Sequence, residues 1–299
     1  MMGRMGRILG SLALLGGLLW FSAAGDVWAR LRETDLYWVL VAFVALTCST
    51  LSMARRWQLT AGALGLELSY FGAVREYYLS LLANSALPGG VVGDVSRAIR
   101  TRHYGDLKNA TQSVLAERLL GQAALLAIVF GGLFWALLIP GGIAWPTATG
   151  WLIAAALAVA AGLVIWLAKV RMTAGFTRFF LGLLSRRDIT AHAVFAAVLL
   201  ILGLYACARA TGTSLPPEAC YTILPLVLCA MIVPLSIAGW GWREGAAAAL
   251  FPLAGATPEA GIAMGICYGA VMLLAALPAI GFLFLSTDHA HKRKPLENV

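Results

Sequence analysis

Charged side chains follow a Pro/Gly-rich break in an otherwise apolar chain, within Leu87–Arg118. Asp94, Arg97 and Arg100 stand three residues apart, so on a helix they would share one face. A guanidinium fork suits bidentate recognition of phosphate, and Asp94 has the spacing to orient Arg97. The segment therefore predicts a site for an anionic, phosphate-bearing group. The alternative is that Asp94 caps a helix and the arginines only anchor it at an interface.

Glu117 and Arg118 close this segment and open a strongly apolar run, Leu119–Ile139. A Glu in the first turn of a helix is stabilised by the helix dipole, which is one explanation of its position. The other is that the pair closes onto Asp94 and Arg97 across a cavity, because charges at membrane depth need partners. The residues leave both explanations open.

A second interrupted segment, Val233–Gly245, ends on another charged pair, Arg243 and Glu244. The apolar piece that follows, Gly245–Gly255, is too short to cross a membrane. We expect this pair to contribute to the same kind of site, because a charge pair at membrane depth is a functional hypothesis by default. The alternative is an ion pair inside a hairpin that only holds the fold.

Proline and glycine residues interrupt both segments. Such backbone cannot lie exposed in hydrocarbon, so it must be buried, line a wet cavity or lie at the interface. Glycine also permits tight turns and close helix approach, and a helix N-terminus after such a turn favours anions. The residues assigned to the two hairpin turns are Pro88, Gly89, Gly90 and Gly93 in the first segment, and Pro234, Gly239 and Gly241 in the second.

Composition settles the broad class of protein. Of 299 residues, 61% are hydrophobic and 12% are charged, which is about half the charged share of a soluble domain. Several apolar runs reach the roughly 20 residues that a helix needs to cross a bilayer. The sequence therefore predicts an all-α polytopic membrane protein.

Other classes of function find little support. The net charge of +8 would suit a nucleic-acid binder, but the basic residues stand at the ends of apolar runs, as membrane orientation requires. The five cysteines are scattered singly and the four histidines show no ligand spacing. We therefore expect no metal site, cofactor or nucleic-acid partner. No nucleophile–base spacing marks a catalytic residue, so an enzyme is the less favoured reading.

The basic residues predict a topology with both termini in the cytoplasm. We expect about six full spans and two re-entrant hairpins, Leu66–Asp94 and Cys220–Gly255, which dip in from opposite faces. The rival is a simple bundle of eight spans. The expected spans are Ile8–Ala24, Leu36–Ala54, Leu119–Ile139, Trp151–Ala168, Ala191–Ala208 and Gly261–Leu285.

Two hairpins in matching positions are the arrangement that an inverted repeat would produce. We therefore expect a single membrane domain over 1–299, with halves at 1–139 and 148–286. Residues 287–299 would form a cytoplasmic tail.

Four elements carry a resemblance to a known family: Arg56-Trp57, LPGGVVGDVSR at Leu87–Arg97, ERLLG at Glu117–Gly121, and PLSIAGWGWREG at Pro234–Gly245. The chain resembles, over nearly its whole length, the lysylphosphatidylglycerol synthase transmembrane-region family, whose members are also described as flippase-like. The resemblance implies a protein of the bacterial or archaeal cytoplasmic membrane. It also implies a relation to the lipid-translocating part of the multiple-peptide-resistance proteins.

One departure qualifies what this resemblance implies. Two-part members carry a soluble aminoacyl-transferase domain after the membrane region, whereas this chain ends at Val299, shortly after its last expected span. We therefore expect a stand-alone member that does not itself add lysine to phosphatidylglycerol.

The resemblance favours a flippase or transporter of an anionic or phosphate-bearing lipid, with membrane lipids as its partners. One alternative is a membrane enzyme that uses Glu117 or Glu244 as acid or base. Another is an accessory of an envelope-lipid biosynthesis enzyme, for aminoacyl-phospholipids, hopanoids or lipid-linked glycans. The expected headgroup-binding residues are Asp94, Arg97, Arg100, Glu117, Arg118, Arg243 and Glu244.

Overall fold

The chain is an all-α polytopic membrane protein, as its composition predicts. The structure, a computed structural model, describes residues 24–86, 92–138, 142–146, 148, 151–152, 155, 174–231 and 239–284. Within these residues the regular structure is helical, with no strand.

The helices of the described residues are numbered in chain order. They are α1 (Ala24–Arg32), α2 (Leu36–Gly62), α3 (Tyr70–Ala86), α4 (Val92–Thr101), α5 (Leu107–Leu138), α6 (Ala174–Leu184), α7 (Arg187–Ala210), α8 (Pro217–Tyr221), α9 (Ile223–Ala230), α10 (Trp242–Leu250), α11 (Pro258–Ala276) and α12 (Pro278–Phe284). Short 3-10 turns cover Arg102–Tyr104 and Phe251–Ala254.

Four stretches of the described residues are long and apolar enough to cross a membrane: α2, α5, α7, and α11 continuing into α12 up to Leu283. They correspond to four of the six expected spans. The other two, Ile8–Ala24 and Trp151–Ala168, lie largely outside the described residues.

Two of these helices are longer than the sequence predicts. The span expected to end at Ala54 continues as helix to Gly62, and the span expected to begin at Leu119 starts at Leu107. Both expectations took charged residues as span ends. Arg56 and Glu117, one from each of these charged ends, form a buried ion pair with each other, and both lie inside continuous helices.

Helices α2 and α7 pack antiparallel along much of their length and form the centre of the fold. The N–H of Asp35 donates to the Ala210 carbonyl (2.9 Å) at one end, and the Ser49 hydroxyl donates to the Ala196 carbonyl (3.0 Å) further along. A core of buried side chains fills the space between α7, α9 and α11, among them Leu204, Ile223, Phe251 and Tyr268.

Two helical pairs occupy the positions of the expected hairpins. Helix α3 packs on α4, and α9 packs on α10. Their turns, residues 87–91 and 232–238, lie outside the described residues, and so do the assigned turn residues Pro88, Gly89, Gly90 and Pro234. Gly239 and Gly241, which lead into α10, have φ angles of 82° and 88°. Residues with a side chain rarely adopt such positive φ angles, which explains why glycine occupies both positions. The inverted repeat stays a prediction.

Candidate functional site

Five charged residues from three helices form one connected ion network. Arg97 Nη2 lies 3.0 Å from Asp94 Oδ1 and 3.2 Å from Glu117 Oε2. Arg56 pairs with the other oxygen of Glu117, and Arg118 pairs with the other oxygen of Asp94. We call these residues the charge network. It ties α4, which carries Asp94 and Arg97, to α2 and α5.

Glu117 is the buried centre of the network. Its carboxylate accepts hydrogen bonds from Arg56, from Arg97 and from the Tyr77 hydroxyl (3.3 Å). It lies ten residues past the start of α5 at Leu107, so the helix dipole does not explain its position. The pair Glu117-Arg118 instead closes onto Asp94 and Arg97, which was the other explanation.

Arg97 is enclosed rather than presented to a ligand. Its side chain is 1% exposed, and its Cζ lies 4.4 Å and 4.6 Å from the ring centres of Trp57 and Tyr77. Cation–π contact of this kind favours a desolvated guanidinium. The Trp57 ring is fixed in turn by a hydrogen bond from Nε1 to Ser113 Oγ (3.2 Å). Within the described residues, Arg97 Nε and Nη1 have no hydrogen-bond partner.

Asp94 is positioned by α3. It lies in the first turn of α4, and Ser80 Oγ donates to its Oδ1 (3.2 Å). Gly93 allows this contact, since a Cβ there would come within 2.0 Å of the Ser80 carbonyl oxygen. The Gly93 N–H donates to Asn84 Oδ1 (2.7 Å), so Gly93, which was assigned to the hairpin turn, lies instead in the first turn of α4 and against α3.

A cavity of about 280 Å³ lies beside the network. One wall is charged and polar, and it includes Arg56, Asp94, Glu117 and Arg118 but not Arg97. The apolar part of the lining comes mainly from α7, with further side chains from α2, α3 and α5. The apolar lining residues are Ala193, Ala196, Ala197, Leu200, Met53, Leu81 and Leu125.

The charges around the cavity do not balance. The network contains three guanidinium groups and two carboxylates, which leaves one positive charge in excess. Arg118 is the accessible cation, because its side chain is 36% exposed whereas those of Arg56 and Arg97 are almost fully buried. A cavity of this kind favours an anion with an apolar body.

The network lies at one border of the apolar layer. Arg56 follows the apolar stretch of α2, and Glu117 precedes that of α5. Each stretch contains about the 20 residues that cross the hydrocarbon layer. Arg56 and Glu117, at the ends of these stretches, therefore lie close to the lipid headgroups.

Arg100 lies apart from the cavity. Its Nε is 2.5 Å from Glu76 Oε2, and its Nη1 donates to Ser96 Oγ (3.0 Å). Arg75 pairs with the same Glu76 at 3.0 Å. Glu76 therefore draws Arg100 away from Asp94 and Arg97 despite their common helical spacing, and its role in headgroup binding stays a prediction.

Arg243 and Glu244 form a local ion pair. Arg243 Nε and Nη2 lie 3.0 Å and 2.5 Å from Glu244 Oε1, and Glu244 Oε2 accepts from the Gly241 N–H at the start of α10 (2.7 Å). The Arg243 guanidinium also packs over the rings of Trp240 and Tyr268, at 5.1 Å and 5.3 Å. Neither residue is among those that line the cavity. This is the arrangement of the alternative explanation, an ion pair within the hairpin.

Sequence reasoning used Arg56-Trp57 only as a family motif, and it did not place Arg56, Trp57 or Tyr77 in the site. Arg56 looked like a topology charge after a span, because the helix was expected to end before it. A signal was present in α2: Ser49, Ser52, Arg56 and Thr60 recur at helical spacing, and all four are buried. A polar face that continues through Arg56 to Thr60 indicates a helix packed against other helices, and not a loop after the span.

Among the described residues, no group of three or more His, Cys, Asp or Glu side chains is placed to hold a metal ion. The charged groups of the site are instead arranged in arginine–carboxylate pairs.

The sequence profile of one family matches almost the whole chain. The family is described as the lysylphosphatidylglycerol synthase TM region, and the match covers residues 8–279. No curated protein and no solved structure shows significant similarity to the chain. The family match includes both interrupted segments and all five residues of the charge network. The chain therefore belongs to the lysylphosphatidylglycerol synthase TM-region family.

Proposed function

We propose that this protein is a lipid flippase or transporter that holds the phosphate-bearing headgroup of an anionic lipid in the cavity beside the charge network. The observation that carries the proposal is the pairing of one charged wall, with positive charge in excess, and one apolar wall within a single cavity. A phosphate headgroup with its adjoining methylene groups likewise has a charged part and an apolar part.

The arginines of the network have different roles in this proposal. Arg118 and Arg56 line the cavity and would contact the phosphate, since a guanidinium offers paired N–H donors to its oxygens. Arg97 does not line the cavity, and its role is to hold Asp94 and Glu117 in place. This division differs from the sequence hypothesis, in which Arg97 was itself one of the headgroup-binding residues.

The site would accept lipid from the cytoplasmic leaflet of a bacterial or archaeal cytoplasmic membrane. The basic segment Arg97–Lys108 adjoins the network, and basic segments favour the cytoplasmic side. The termini would then be cytoplasmic as well. Movement of the α3–α4 hairpin against α7 would carry the head from this border while the acyl chains stay in lipid.

The enzyme alternative receives less support from the geometry. Glu117, its first candidate acid or base, accepts from two guanidinium groups and one hydroxyl. Glu244 is occupied by Arg243 and by a backbone N–H. Each carboxylate is held in an ion pair, which a role as acid or base would first have to break.

The test is translocation of a fluorescent phosphatidylglycerol in proteoliposomes, read by quenching from one side. Arg118→Gln removes the accessible cation, and we expect at least about a tenfold loss of activity, since charge-assisted hydrogen bonds are worth roughly 1.5–3 kcal/mol. Ala197→Leu fills the apolar side of the cavity, and we expect a similar loss. Ala191→Leu is the matched control, because Ala191 is exposed on the same helix.

All variants must first elute as single, monodisperse species in size-exclusion chromatography. If folded Arg118→Gln and Ala197→Leu proteins translocate the lipid at the wild-type rate, the cavity is not the headgroup site. Absence of translocation by the wild-type protein, with the lipid still bound, would point instead to an accessory role.

A further inference from the structure

We infer that Asp94 is an internal counter-anion, which occupies Arg118 when the cavity is empty and gives it up to the phosphate of the incoming lipid. This inference rests on the proposed function and assigns Asp94 a specific part in it. Asp94 would then set how tightly the headgroup is held, without being a ligand of the headgroup itself.

The pair formed by Asp94 and Arg118 is the accessible link of the charge network. Its side chains are 12% and 36% exposed, and both line the cavity. The links through Glu117 are closed by comparison, because the side chains of Arg56, Arg97 and Glu117 are all within a few per cent of full burial. An anion that enters the cavity therefore meets Arg118 first.

Asp94 keeps other partners when Arg118 leaves. Its Oδ1 still accepts from Arg97 Nη2 (3.0 Å) and from Ser80 Oγ (3.2 Å), and its Oδ2 still faces Asn84 Nδ2 (3.4 Å). A buried carboxylate that loses its only cation would be strongly destabilised, but this one retains a cation and two neutral donors. The exchange replaces one ion pair by another and leaves no uncompensated charge on α4.

Exchange of this kind gives a reason for a carboxylate in an anion site. Without Asp94, a phosphate would face Arg118 without competition from this carboxylate, and it would bind more tightly and leave more slowly. A transporter must release its cargo, so an internal anion that re-forms its pair with Arg118 would assist release. Asp94→Asn should therefore bind the lipid more tightly but translocate it more slowly than wild type.

The experiment measures binding of dioctanoyl phosphatidylglycerol to the full-length protein in detergent by isothermal titration calorimetry. Asp94→Asn should bind about fivefold tighter than wild type, since a partly exposed ion pair is worth up to about 1 kcal/mol. Arg118→Gln should bind more weakly than wild type. Asp188→Asn is the matched control and should not change binding, because Asp188 pairs with Arg186 on an exposed surface (2.7 Å).

A second variant protects the test if Asp94→Asn does not fold. Asp94→Glu keeps the charge and extends the carboxylate towards the cavity, so it should compete at least as strongly and never bind the lipid more tightly than wild type. The inference is overturned if folded Asp94→Asn binds no tighter than wild type, or if Asp94→Glu binds tighter.

The two proposals fail in different ways. If Arg118→Gln binds the lipid as well as wild type does, the headgroup site itself is wrong. If Arg118→Gln loses binding while Asp94→Asn leaves it unchanged, the site stands and only the counter-anion role is lost.

Discussion

The charge network and the Arg243–Glu244 pair both join arginines to carboxylates, yet they are built in opposite ways. The pair lies between consecutive residues of α10, and its other contacts are the backbone of Gly241 and the rings of Trp240 and Tyr268. The network joins side chains from three separate helices and forms one wall of a cavity.

This difference shows that residue types alone do not indicate function. What matters is whether the paired side chains come from one helix or from several. An ion pair within one helical turn is unaffected when helices move, so it serves the fold. Ion pairs between helices lengthen or exchange when the helices shift or when an anion arrives. The network can therefore respond to a ligand, whereas the pair is expected to remain constant.

The largest loss of stability is expected in the charge network, because one carboxylate there is shared by two arginines, whereas Glu244 pairs with one. Glu117→Gln removes the carboxylate shared by Arg56 and Arg97, so two buried guanidinium groups lose a counter-charge. We expect a loss of about 5 kcal/mol in the free energy of unfolding, the upper range for breaking a buried pair. Thermal unfolding measures this, with a thiol-reactive dye that reports exposure of the buried Cys207 and Cys267.

Glu33→Gln is the control for this change, because Glu33 is exposed in the segment that follows α1. It should leave the unfolding temperature unchanged. A Glu117→Gln protein as stable as wild type would mean that the network does not hold α2, α4 and α5 together.

Glu244→Gln tests whether the second pair is purely structural. Gln serves in a capping box as well as Glu does, so only the counter-charge of Arg243 is lost. We expect about 3 kcal/mol of destabilisation and unchanged binding of dioctanoyl phosphatidylglycerol. The same dye assay and calorimetry measure the two quantities. A folded Glu244→Gln protein that no longer binds the lipid would show that both hairpins share one site, and the comparison would collapse.

Much of the fold follows from the sequence. Apolar length predicted the four spans that the described residues contain, and Pro/Gly breaks predicted the packed pairs α3–α4 and α9–α10. Helix ends were less predictable. Hydropathy ended the second span before Arg55-Arg56, whereas the helix continues to Gly62 because Arg56 is neutralised by Glu117. A hydropathy window cannot register a partner sixty-one residues further along the chain.

The sequence predicted four of the five residues of the charge network, but not how they are paired. The spacing of Asp94 and Arg97 correctly placed them together on one helix face. The same spacing placed Arg100 with them, but Glu76 pairs with it elsewhere. Burial of Arg97 between two aromatic rings depends on α2 and α3 and leaves no trace in the local sequence. Contacts between helices therefore decided which arginine faces the cavity.

Gly269 and Gly121 pack against the guanidinium groups of Arg243 and Arg56, so they allow one more comparison of the ion pair with the charge network. A Cβ on Gly269 would come within 2.6 Å of both Arg243 Nη2 and the Trp240 ring. The ring cannot give way easily, so Gly269→Ala should force the pair apart and cost about 2 kcal/mol, as overpacking of a core does. The dye assay measures this cost, with lipid binding unchanged. Gly182→Ala on α6 is the control, since its Cβ would meet no atom within 4 Å. A stable Gly269→Ala protein would mean that the pair is loosely packed.

Gly121→Ala is the counterpart in the network and should have the smallest effect on stability. Its Cβ would meet Arg56 Nη2 at 2.9 Å, but that atom is the end of a flexible side chain. Alanine also favours a helix over glycine by up to about 1 kcal/mol, which offsets the shift of the guanidinium. We expect stability within about 1 kcal/mol of wild type, together with weaker lipid binding, because Gly121 and Arg56 both line the cavity. If binding is unchanged as well, Arg56 does not contact the headgroup, and Arg118 remains the proposed phosphate ligand.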